Sequence, residues 1–135
     1  MRKLRAAIIG VGIFAGLGGA THGPGEILQG NVSPTAIMIK AWPQLAATAL
    51  GGEPAITIIP NYIVPGILAI FFGILVTAWA GAYVERRMGG MILILLSIAM
   101  LLVGAGVVPP LFGVAAGIMG VVLNRRTGKQ GVVGA

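Results

Sequence analysis

The sequence predicts an all-α integral membrane protein: a bundle of four transmembrane helices, both termini cytoplasmic, with a semi-buried external cap. Three observations carry that expectation. The 135 residues are 57% hydrophobic and 9% charged, against about 25% charged in an ordinary soluble domain, so a soluble fold would lack polar surface. Long uncharged runs recur at lengths suited to a hydrocarbon core. The basic residues gather in short clusters, Arg2-Lys3-Leu4-Arg5, Arg86-Arg87 and Arg125-Arg126-Thr127-Gly128-Lys129, that flank those runs.

The first span is expected at about residues 4–21. The apolar run Ala6 to Ala20 covers only about 22 Å as helix, short of a core about 30 Å thick, so the basic start must snorkel or the helix must end early. A basic start before a short apolar run also suits a signal peptide, with Gly18-Gly19-Ala20 as the small-residue cleavage site. The retained helix is the reading taken here. Gly12, Gly16 and Ala20 recur every fourth residue, a stripe that permits close helix approach.

Residues 22–60 form the cap. Its glycines and prolines break continuous helix, yet Ala36-Ile37-Met38-Ile39 and Ile56-Thr57-Ile58-Ile59 are strongly apolar. A segment lying on the interface or dipping into the bundle fits better than a solvated linker. Within it, Pro34 to Leu50 is expected to hold one or two short helices, with Ser33 as N-cap, Gly51 as stop, and Trp42 at interfacial height.

The second span is expected at about residues 61–84. Ile63 to Tyr83 contains no formal charge, and Ala69, Gly73, Thr77 and Gly81 form another four-residue stripe. Glu85-Arg86-Arg87-Met88-Gly89-Gly90 is a charged turn. The uncharged run Met91 to Leu123 would be about 50 Å long as one helix, so Pro109-Pro110 is read as dividing it. That gives spans at about 90–108 and 110–124, the latter with Gly113 and Gly117 four apart, and a tail at 125–135. With four spans, eight of the nine basic residues fall on one side and only Lys40 on the other. The positive-inside rule makes that side the cytoplasm and the membrane the inner or plasma membrane.

Chemistry is expected in the cap, if anywhere. His22 is the single histidine and Glu26 one of three acidic residues. Four residues apart, they would share a face of a helix, but Gly23-Pro24-Gly25 argues against helix. The pair is therefore read as a turn whose glutamate is satisfied by backbone amides. Asn31, Lys40, Trp42, Glu53 and Asn61 complete the candidate segment. No cofactor or metal is expected, nucleic acid is not a partner, and the absence of cysteine excludes thiol chemistry. An enzyme is not expected either, since Ser33 and Ser97 lack a neighbouring base.

Two functions remain. The first is a structural or interaction role: a self-associating bundle, or a subunit of a membrane complex, in contact with lipid. Its motive is the number of small-residue stripes, which exceeds what internal contacts would need. The second is transport of an ion or small solute through the segment Thr21 to Asn31, whose unwound backbone would line a binding site. A transporter predicts a polar cavity reaching His22, Glu26 or Asn61. A subunit predicts a filled interior and an apolar outer groove.

Overall fold

The computed structural model describes residues 1–43 and 53–133. The chain is mostly helical, and the elements run α1 (Arg2–Ala20), α2 (His22–Ile27), β1 (Met38–Lys40), β2 (Pro54–Ile56), α3 (Ile63–Ala82), α4 (Gly89–Leu102) and α5 (Val108–Val133). Among the described residues, three helical stretches are long and apolar enough to cross a membrane, Arg2–Ile27, Ile63–Ala82 and Val108–Gly128, and Gly89–Leu102 is a shorter apolar helix. This is the architecture of a membrane protein.

The first stretch is longer than the apolar run alone implies. Thr21 keeps helical angles (φ −66°, ψ −18°) between α1 and α2, and its amide bonds Leu17 O at 3.2 Å. Helix is possible through Gly23-Pro24-Gly25 because Pro24 falls in the first turn of α2, where its missing N–H is not needed. The expectation of a non-helical turn is thereby corrected: His22 and Glu26 lie one turn apart on one helix.

Helix α1 packs on α3 and α5, α4 on α3 and α5, and α2 on α3. The small residues make those contacts. A Cβ added at Gly12 would lie 2.5 Å from the Ala80 methyl, and one at Gly73 would lie 2.6 Å from Gly16 O and 2.7 Å from the Ala20 methyl. Gly16 faces Gly73 and Thr77, Gly113 faces Ser97, and Gly117 sits 2.7 Å by the same measure from Gly90 O. Only Gly81 of these stands at the surface, its nearest neighbour Ile13 at ordinary contact. The stripes are thus used inside the monomer, and they supply no argument for a partner. Between them the core is filled by Ile8, Ala69, Val76, Ala80, Leu93, Met100 and Ala116.

The hairpin between α4 and α5 does not break at the prolines. Pro109 and Pro110 sit in the first turn of α5, again where donors are dispensable. The break falls earlier, at residues 103–107, where Gly104 (φ +91°) and Gly106 (φ +78°) take left-handed angles open to glycine. Helix α5 then continues to Val133, through most of the expected tail.

The cap is also different from expectation where it is described. Residues 34–40 are not helical: Met38, Ile39 and Lys40 pair antiparallel with Ile56, Ala55 and Pro54. Alternating burial favours strand here, with Ile39 and Ala55 inward and their neighbours exposed or half-buried. Ser33 donates to Pro60 O at 3.0 Å instead of capping a helix. Residues 44–50 of the expected cap helix, and Gly51, lie outside the described residues. The small sheet is sewn to the hairpin by Gly104 N to Ile56 O at 2.7 Å and Ile58 N to Leu102 O at 3.1 Å, with a bridge between Thr57 and Val103. Irregular backbone beside an apolar bundle needs such partners.

Candidate functional site

The site lies where α2, the start of β2 and the 103–107 break meet, at the end of the bundle opposite the basic clusters. Helix α2 turns His22 and Glu26 inward, and both are fully buried, at 1% and 0% exposure. The strand pair brings up Glu53, the residue before Pro54. Its Oε1 accepts from Val108 N at 2.8 Å, while Oε2 lies 3.2 Å from His22 Nε2.

His22 Nδ1 lies 3.1 Å from Gly18 O. A carbonyl can only accept, so Nδ1 carries a proton. The distance from Nε2 to Glu53 is that of an ion pair, but its angle falls short of a hydrogen bond, and Nε2 is left without a hydrogen-bond partner.

Among the described residues, neither oxygen of Glu26 has a hydrogen-bond partner. The expectation that backbone amides satisfy it is corrected. Its carboxyl rests against the α-carbon of Gly104, and His22 with Glu53 rests against that of Gly106; a Cβ at Gly106 would lie 2.6 Å from His22 Nε2 and 2.8 Å from Glu53 Oε1. Buried polar groups are nearly always paired. Here three unpartnered side-chain atoms, His22 Nε2 and both Glu26 oxygens, belong to residues one helical turn apart.

The other candidate residues frame this cluster. Trp42 Nε1 donates to Thr21 O at 2.8 Å, so the indole bolts the cap to the junction of α1 and α2. Lys40 is exposed, and its carbonyl accepts from Gln29 Nε2 at 2.9 Å. Asn61 Nδ2 donates to Asn31 Oδ1 at 2.6 Å, while Asn61 Oδ1 accepts from Ile63 N at 2.7 Å and Val64 N at 3.1 Å, capping α3. Asn31, Asn61, Lys40 and Trp42 thus hold the cap together through hydrogen bonds, while His22, Glu26 and Glu53 are the ionisable groups gathered at this end of the bundle. Sequence reading missed Gly104, Gly106 and Gln29. The visible signal was Gly104-Ala105-Gly106 ahead of Val107-Val108-Pro109-Pro110, a better place to break a helix than the prolines themselves.

Among the described residues, no group of three His, Cys, Asp or Glu side chains is placed to hold a metal ion. The arrangement can bind and release a proton: a buried imidazole, a buried carboxyl at Glu26, and the partly exposed Glu53 carboxyl, which contacts both His22 and Val108 N. No family model, curated protein or solved structure matches the chain.

Proposed function

We propose that this chain is a proton-handling protein of the cell membrane, with four spans and both termini in the cytoplasm. Protons enter from the cap side at His22 and Glu53 and are held at Glu26. The observation that carries the reading is the fully buried Glu26 carboxyl, which has no hydrogen-bond partner among the described residues. An ionisable group within a candidate span points to ion traffic, and Glu26 lies inside the stretch Arg2–Ile27. The core beneath is packed with Leu93 and Met100, which favours the smallest cargo, the proton, and a gated carrier over an open pore.

The test is proton flux in liposomes holding the purified chain and a pH dye, driven by a potassium potential. The parent should acidify the lumen faster than empty vesicles, and Glu26→Gln and His22→Gln should not. Flux no greater than in empty vesicles, for the folded parent, would sink the proposal.

A subunit role is the second reading. The same filled core favours it, as does an apolar outer groove of about 160 Å³ beside Met1, Leu4, Ile118, Met119 and Val122. Its test is particle mass in a mild detergent, where a monomer alone would count against self-association.

A further inference from the structure

At the opposite end of the molecule, the turn after α3 and the outer part of α5 enclose a cleft of about 690 Å³, within the size range of ligand pockets. Two kinds of surface line it. Arg87 and Arg125 provide positive charge and Glu85 one carboxylate, while Met88, Met91 and Val121 provide an apolar wall. The other charged groups nearby are already engaged. Glu85 is 3.8 Å from Arg5, and the Arg86 guanidinium lies over the Tyr83 ring, 5.1 Å from its centroid. Among the described residues, Arg87 and Arg125 pair with no carboxylate.

The walls are built. Asn124 Nδ2 donates to Arg86 O at 2.8 Å and Val84 O at 3.1 Å, clamping the turn to α5. Trp79 donates to Gly89 O at 3.0 Å and stacks on Tyr83 at 4.8 Å between centroids. Such an aromatic pair marks the depth of the lipid headgroups, so the cleft opens where phosphates lie and its methionine wall faces acyl chains.

We propose that this cleft is a binding site for an anionic glycerophospholipid, with its phosphate between Arg87 and Arg125 and its acyl chains along Met88, Met91 and Val121. Arginine suits this because its planar fork matches phosphate oxygens. An amphipathic ligand matches both linings, which a free phosphate does not.

The test is lipid binding to the full chain in mild detergent by native mass spectrometry, with phosphatidylglycerol, phosphatidylcholine and inorganic phosphate as probes. Phosphatidylglycerol should bind more tightly than phosphatidylcholine, and Arg87→Gln with Arg125→Gln should weaken it about tenfold. A control pair with the same charge loss, Arg2→Gln with Lys3→Gln, should keep the affinity. Equal weakening by the control pair would overturn the site in favour of general charge attraction. So would equal affinity for phosphatidylcholine, or displacement of the lipid by millimolar inorganic phosphate.

Discussion

The carboxyl of Glu26 lies against the α-carbon of Gly104, so closely that a methyl group there would overlap both carboxyl oxygens. Two demands meet at Gly104: a left-handed backbone at φ +91° and no side chain. Gly104→Ala should therefore cost the left-handed penalty of roughly 1–2 kcal/mol plus an overpacking cost of about 1–3 kcal/mol. Gly10 offers the contrast, since a Cβ there meets nothing within 4 Å. Gly10→Ala should be neutral or stabilise by up to about 1 kcal/mol. Unfolding in mixed micelles, followed by tryptophan fluorescence, should rank the two variants in that order; equal stability would remove the argument.

The Glu53 carboxylate holds the start of α5 through Val108 N and faces His22 at once. Glu53→Ala strips both interactions and should lose about 1–3 kcal/mol. Glu53→Gln keeps an acceptor for the Val108 amide, so it should lose less. The same unfolding measurement decides, and a Gln variant as weak as the Ala variant would show that the helix-start bond contributes little.

The apolar helices, three of them of membrane-crossing length, were legible because hydrocarbon-length runs are a property of local composition. His22, Glu26 and Glu53 stood out in the sequence as rare ionisable groups among the seven candidate residues. Their meeting was not legible, because it depends on the β1–β2 pairing and on the hairpin break, both non-local. The helix through Gly23-Pro24-Gly25 was misread for a related reason. Glycine and proline lower helix propensity, but Pro24 in a first turn and Gly23, packed so closely on Gly66 and Ile70 that a Cβ there would overlap both, are permitted by α3 behind them. Tertiary contact overrode propensity there. The strand Met38–Lys40 was hidden by a short apolar run that length alone cannot assign.

Close packing makes the stripes a stability feature of the single chain. Gly73→Leu and Gly117→Leu insert side chains where backbone atoms of Gly16 and Gly90 already lie within 2.7 Å of the new Cβ. Each should destabilise by at least the ~1–3 kcal/mol of an overpacked core without acting through a dimer. Gly81→Leu, at the surface beside Ile13, should be tolerated. Unfolding and particle mass measured together separate the cases. Stable Gly73→Leu and Gly117→Leu proteins of reduced mass would return those stripes to an intermolecular role.

The topology can be tested through α4, whose 14 residues make only about 21 Å of helix against a core about 30 Å thick. On the proposed four-span topology the remaining depth falls to residues 103–107, whose backbone is sewn to Ile56 and Thr57, which would carry part of the cap into the membrane. Met88 at the basic turn and Val32 in the cap are both exposed, at 49% and 54%, and the chain has no cysteine of its own. Single variants Met88→Cys and Val32→Cys should therefore report cleanly. An impermeant maleimide added outside intact cells should label Val32→Cys only, with Met88→Cys reacting after the membrane is opened. Labelling of both from outside would mean that α3 does not cross, and the positive-inside assignment would fall with it.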